Sequence, residues 1–264
     1  MHINPFDSYR AGDSLLHRLD PRVKFSFTLA FILTISLTPA GAWPAYVLLL
    51  AFVLSASVAS ELGLTFVLRR AVLALPFVLA ALPILLTASG QPILSIALGG
   101  WSLSVTASGL ERFLSIAIKS WLSVQMAVLL TATTSLPDML VAMRALCIPR
   151  LLVAILSLMW RYLFVLADEA MRMMRAREAR SASRQRRSGG SLTWRAHVTG
   201  GMAGILFLRG YERSERIYNA MLARGFDGSI RSLPLKPLST AERLILILVL
   251  IVLLAFLLLG RMLG

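Results

Sequence analysis

Leu244-Ile245-Leu246-Ile247-Leu248-Val249-Leu250-Ile251-Val252-Leu253-Leu254-Ala255-Phe256-Leu257-Leu258-Leu259-Gly260 is an uncharged run flanked by Arg243 and Arg261. A helix crossing the hydrocarbon core of a bilayer needs about 20 mostly apolar residues, with a range of roughly 17–25. This run fits, and it has no polar face to turn toward water. It therefore reads as a transmembrane helix. Four further segments fit or nearly fit. The first, about Val23 to Leu37, ends at Thr38-Pro39 and holds Lys24 near its start, where a lysine can snorkel to the interface. The second is about Trp43 to Ser60. The third, about Ala71 to Ala88, contains Pro76 and Pro83, tolerated in membrane helices whose neighbours satisfy the freed backbone groups. The fourth, about Phe113 to Thr131, contains Lys119 and Gln125. The stretch Ile93 to Val105 is apolar but short and broken by Gly99-Gly100, and it reads as a re-entrant or interfacial piece.

Composition agrees. Hydrophobic residues make up 57% of the chain and charged residues 15%, with a mean hydropathy of +0.75. Soluble domains carry about a quarter charged residues. A soluble fold of this length could not hide so much apolar surface. The net charge is nonetheless +14, from 27 Lys+Arg against 13 Asp+Glu. An oily and basic chain points to membrane spans with basic loops on one side, and away from nucleic acid as a partner.

Orientation follows from the bias of Lys and Arg toward the cytoplasmic side. The N-terminal segment carries Arg10, Arg18, Arg22 and Lys24, and the loop between the second and third spans carries Arg69-Arg70. The loop from Pro39 to Ala42 carries no charge. The N-terminus is therefore expected in the cytoplasm, within the cell inner membrane. Counting spans puts about Leu136 to Arg243 there too, and that segment holds 18 of the 27 basic residues. The expected organisation is residues 1–135 as the N-terminal transmembrane region, 136–243 as a cytoplasmic module, and 244–264 as the last span. The first twenty-four residues are polar and charged without an apolar core, so no cleavable signal peptide is expected.

Within the basic segment an apolar run, Leu151 to Leu166, is interrupted by Arg161 and is expected to lie along the membrane face. It continues through Asp168-Glu169 to Ala179-Arg180-Ser181. A polar break with Arg184, Arg186, Arg187 and Gly189-Gly190 follows, then a second helical stretch from about Leu192 to Ala223 that Gly225 is placed to stop. Met173, Ala176 and Arg180 are spaced i, i+3, i+7, and Ile217, Ala220 and Arg224 repeat that spacing 44 residues later. Each set shares one helical face. Each ends in Ala-Arg and a small residue: Ala179-Arg180-Ser181 and Ala223-Arg224-Gly225. That chemistry suits docking: alanine permits close approach, and arginine offers a planar fork to a carboxylate or to carbonyls. Ala176-Arg177-Glu178 competes for the first position but lacks the small third residue. Simple attraction to lipid, at about 1 kcal/mol per basic residue near an anionic leaflet, accounts for many of the cations equally well.

Four stretches resemble the transmembrane T component of energy-coupling factor transporters, most closely the CbiQ type of cobalt transporters. They are Leu16-His17-Arg18-Leu19-Asp20-Pro21-Arg22-Val23-Lys24; Leu136-Pro137 through Val141 with Ile148-Pro149-Arg150-Leu151-Leu152; Tyr162-Leu163-Phe164 through Asp168-Glu169-Ala170 to Ala179-Arg180-Ser181; and Ala220 through Phe226. The resemblance implies an all-α polytopic membrane fold with a coupling-helix module before the last span. It implies two cytoplasmic ABC ATPase subunits and a separate membrane S component that binds substrate. It also implies that two coupling helices each end in an Ala-Arg-Gly-like motif docked on one ATPase, here at Arg180 and Arg224. Ser181 departs from the commoner glycine. Cobalt is the expected cargo, with nickel or a vitamin as alternatives.

The chain is not expected to be an enzyme. No GxxxxGK[ST] motif occurs, so any ATPase is another chain. Asp168 and Glu169 point in different directions on a helix and suit pairing with Arg172 better than acid–base chemistry. A lipid-acting enzyme would need a polar cluster such as paired aspartates, and none is present. A basic membrane scaffold is the other alternative. His2, His17 and His197 are scattered and Cys147 is the one cysteine, so neither a metal site nor a cofactor is expected.

Overall fold

A computed structural model describes residues 9–87, 92–98, 101–146, 148–180, 191–228 and 237–263. Its helices are α1 (Leu15–Arg18), α2 (Pro21–Leu37), α3 (Trp43–Ala59), α4 (Leu64–Arg70), α5 (Leu75–Thr87), α6 (Ala107–Thr133), α7 (Leu136–Ala145), α8 (Arg150–Arg180), α9 (Leu192–Ala223) and α10 (Thr240–Leu263). Two strands, β1 (Pro92–Leu98) and β2 (Trp101–Thr106), form an antiparallel pair. The chain divides into two compact units, one of α1–α7 with α10, the other of α8 and α9.

Local sequence sets the helix starts. Asp20 caps α2 by accepting from the Arg22 amide at 2.8 Å, with Pro21 at the first helical position. Thr106 caps α6 through the Gly109 amide, and Ser135 caps α7 through the Asp138 amide. At α10 the cap is reciprocal: the Glu242 amide donates to Ser239 Oγ and the Ser239 amide to Glu242 Oε2.

Four helical stretches are long and apolar enough to cross a membrane: Thr65–Leu85, Ala107–Thr133, Arg150–Arg180 and Thr240–Met262. Trp43–Ala59 is a shorter apolar helix, and α2 is likewise 17 residues long. The chain is an all-helical polytopic membrane protein with one added hairpin. Phe31, Ile35, Leu49, Val53, Leu122, Met126 and Leu253 form the core of the first unit, where α2 meets α3, α6 and α10. Outside that core α10 stays apolar all round: Ile247, Leu248, Ile251, Leu254 and Leu258 are exposed while Leu253 is buried. A lipid-facing surface needs no polar side.

One segment differs from the reading of the sequence, and two others gain detail. The expected loop at Arg69-Arg70 is helical: both arginines end α4, and the helical stretch runs on through a 3₁₀ turn, Ala71–Ala74, into α5. Pro76 explains the tight turn. It has no N–H for the Val72 carbonyl, which accepts from the Leu75 amide instead. Second, Ile93 to Val105 lies in a hairpin, with Leu98 opposite Trp101. Trp101 to Thr106 alternates apolar and polar residues, and two glycines between such runs favour a tight hairpin turn; Gly99 and Gly100 themselves lie outside the described residues. Third, Leu151 to Leu166, expected along the membrane face, belongs to a 31-residue helix long enough to cross.

The helices α2 and α6 are bound to one another by two lysines. Lys24, 4% exposed, donates from Nζ to the Thr133 carbonyl at 3.0 Å, at the C-terminus of α6, and to the His17 carbonyl at 3.3 Å. Lys119 of α6 donates to the carbonyl of Thr38, the C-cap of α2. Each ammonium meets the negative end of the other helix, where unpaired carbonyls accumulate. Hydrogen bonds to charged groups contribute about 1.5–3 kcal/mol each. Lys24→Met and Lys119→Met should each destabilise the detergent-solubilised protein by about that amount. Because the sites lie well over 10 Å apart, the double variant should lose close to the sum. Thermal unfolding followed by circular dichroism checks both statements.

Candidate functional site: the α8/α9 helix pair

The second unit is an antiparallel pair of long helices. Ser191 opens α9 by accepting from the Trp194 amide at 3.3 Å. The pair meets closely at Gly210, where a β-carbon would lie 3.4 Å from Leu166 Cδ2. Glu169 of α8 fixes the crossing. Its carboxylate accepts from Arg172 one turn along α8 at 2.7 Å and from Arg209 of α9. The expected pairing of Glu169 with Arg172 is therefore present. The partner across the pair, Arg209, lies 40 residues away and has no local sequence signal. On α9, a hydrogen bond to Glu215 pushes the Tyr211 phenol above its ordinary range.

The two triads face the space between the helices. Met173, Ala176 and Arg180 line one groove of about 670 Å³, toward the C-terminal end of α8. Ile217, Ala220 and Arg224 line another of about 590 Å³, at the C-terminal end of α9, which they share with Arg161 and Asp227. Between them lies an apolar groove of about 770 Å³ that includes Tyr162, Leu166, Phe207 and Tyr211. Phe207 is 72% exposed, an unusual state for phenylalanine in a finished assembly.

Ala179 and Arg180 form the last turn of α8, with Arg180 exposed. Ser181 lies outside the described residues, as does Cys147. At the end of α9, Arg224 is the exposed C-cap, after Ala223. Gly225 follows at φ +78°, the left-handed region. The Phe226 amide donates to the Met221 carbonyl at 3.0 Å and the Gly225 amide to the Leu222 carbonyl at 2.9 Å. This is a Schellman stop, and it turns the chain off the helix axis directly behind Arg224. The two ends are far apart. Side-chain contacts pair Leu166 with Gly210 and Glu169 with Arg209, so about 26 residues of helix, roughly 40 Å, separate Arg180 from the level of Arg224. Arg177, the competing first arginine, donates to Thr199 of α9 at 3.5 Å. Among the described residues, no group of three His, Cys, Asp or Glu side chains is placed to hold a metal ion.

The sequence model of the CbiQ family, described as cobalt transport protein, matches residues 12–234. The chain belongs to the CbiQ family. Its relatives include the energy-coupling factor transporter transmembrane protein EcfT of Brevibacillus brevis, 30% identical over 84% of each chain. The EcfT of Listeria innocua is 29% identical over 83% of each. An uncharacterised protein of Methanocaldococcus jannaschii is 26% identical over 86% of this chain and 76% of its own. Membership makes the chain a non-catalytic transmembrane component of a transporter.

Gly225→Ala should cost about 1 kcal/mol, because an L-residue at that φ meets its own carbonyl. No neighbour within 4 Å adds to that cost. The Gly225 position and Phe226 amides should exchange hydrogen about fivefold faster, while the amides of α8 keep their protection, as hydrogen-exchange mass spectrometry will show.

Proposed function

We propose that the chain is the coupling subunit of an energy-coupling factor importer that takes up cobalt. Two cytoplasmic ABC ATPases dock on Arg180 and Arg224, one on each, and the α8/α9 pair passes their ATP-driven movement to a separate membrane component that binds the substrate. The residues from 136 to 243 act as the cytoplasmic module, and the N-terminus lies in the cytoplasm of a cell whose inner membrane holds the complex.

One observation carries this reading. Two exposed arginines stand at the C-terminal ends of two long helices, and among the described residues neither guanidinium makes a hydrogen bond or ion pair. A guanidinium left open at a helix end, beside a small alanine, is a fork ready for a partner's carboxylate or carbonyls. Arg177 is already engaged with Thr199, which favours Arg180 as the first docking arginine. Separation of the two ends by most of a helix length suits two ATPases side by side. The apolar groove between the ends, with Phe207 open, suits contact with a membrane partner. Cobalt rests on the family description, and the relatives named above are described as energy-coupling factor components without a stated cargo.

Arg180→Ala and Arg224→Ala should each weaken ATPase association by about tenfold or more, the loss expected when one partner of a hydrogen-bonded charge pair is truncated. The double variant should abolish ATP-dependent uptake of radiolabelled cobalt in vesicles that hold the complete transporter. Arg→Lys at both positions keeps the charge but removes the fork, and should also weaken association. Full ATPase binding with both lysines would leave the basic segment as a lipid-attracted scaffold. Uptake of labelled nickel in preference to cobalt would keep the coupling role and change the cargo.

A further inference from the structure

We propose that the groove between the C-terminal half of α8 and the N-terminal half of α9 binds the headgroup and upper acyl chain of an anionic phospholipid. Arg180, proposed above as a docking arginine, sits on its rim, and lipid binding is tested through rim arginines outside that role.

The groove has two chemistries. Its floor is apolar, built from Met173 of α8 and Val198, Met202 and Ile205 of α9. Its rim carries Arg172, Arg177, Arg180 and Arg209 against a single carboxylate, Glu169. Four cations and one anion leave a formal charge of +3 around a space of about 670 Å³. Arg172 and Arg209 share Glu169, and each keeps 59% of its side chain exposed. A guanidinium has five N–H donors, so a shared carboxylate leaves donors on both for a second anion. An apolar floor under an arginine rim matches a phosphodiester attached to hydrocarbon. A free nucleotide or phosphate would leave the floor uncovered. An acidic peptide would find few backbone partners, because both helices satisfy their own backbone groups.

The setting points the same way. The apolar run Leu151 to Leu166 of the same helix suits contact with the membrane face, where headgroups are within reach. Trp194 borders the groove and is 47% exposed, and tryptophan concentrates at this boundary. Basic pockets between helices on the cytoplasmic side are a recurrent way of holding acidic lipids.

The test uses the full chain, purified in detergent, delipidated and titrated with phosphatidylglycerol or phosphatidylcholine of identical acyl chains, with bound lipid counted by native mass spectrometry. The wild type should retain phosphatidylglycerol preferentially. Arg177→Gln with Arg209→Gln should weaken that binding about 30-fold, from about fivefold per arginine, and abolish the preference. Arg175→Gln with Arg216→Gln removes the same charge from the same helices outside the groove, and should leave the preference in place. Arg209→Lys should recover part of the loss, and unchanged thermal unfolding will show that the groove variants are folded. Inorganic phosphate should not displace the lipid. Equal binding of the two lipids, or equal losses in the groove and control pairs, would overturn the proposal. So would displacement of the lipid by inorganic phosphate or, mole for mole, by the ATPase subunits, which would mark the groove as an anion or protein site.

Discussion

Lys24 and Lys119 each carry an ammonium to the carbonyl end of the other's helix, and the membrane unit is organised around that exchange. Helices in lipid gain little from the hydrophobic effect against each other, because lipid tails are as apolar as leucine. What holds them in register is packing and polar contacts. Two charged hydrogen bonds, 14 residues apart along α2 from Lys24 to Thr38, permit one antiparallel register of α2 on α6 and exclude a slip by one turn. Once that register is set, Phe31 and Ile35 meet Leu122 and Met126, and α3 and α10 complete the core. Small residues finish the job at α10, where a β-carbon at Gly260 would come within 3.0 Å of Thr38 Cγ2.

The end of this frame that carries His17 is tied down with equal care. His17 takes Ser14 Oγ on one ring nitrogen at 2.6 Å and donates from the other to the Arg10 carbonyl at 3.0 Å. The Arg10 amide donates to the Ala132 carbonyl beside the one Lys24 uses. The Arg10 and Arg70 guanidiniums lie over the Phe66 ring at 4.0 and 4.7 Å. Arginines that read as loop charges thus act as packing elements, their charge spent on a ring face and their stems on apolar surface.

The helix pair of the second unit is built on the opposite plan. Among its described residues few are buried, Gly210 closes the gap between the helices, and Glu169 is shared by two arginines. Exposed ion pairs contribute little stability, with a median of about 0–1 kcal/mol. A pair so lightly held, with large apolar grooves left open, suits a part that is completed by its partners. The contrast between a pinned membrane frame and an open helix pair fits a chain that carries movement from one protein to another.

Much of this was legible in the sequence. Leu244 to Gly260 announces a span because no polar residue interrupts it, and Leu192 to Ala223 reads as a helix that Gly225 is placed to stop. The i, i+3, i+7 triads put Arg180 and Arg224 on definite faces because helix periodicity is a local property. Other features were hidden for a physical reason. Hydropathy shows no partner for Lys24 or Lys119, since the carbonyls that accept them come from a helix about a hundred residues away. Glu169 shows its near partner, Arg172, at helical spacing, and conceals Arg209, whose position depends on how two helices cross. Composition and period determined that the chain spans a membrane, where α9 begins and ends, and which arginines stand at the helix tips. Only tertiary packing decided which helix ends meet which ammonium groups and what the triads face, because those contacts join residues that no local pattern relates.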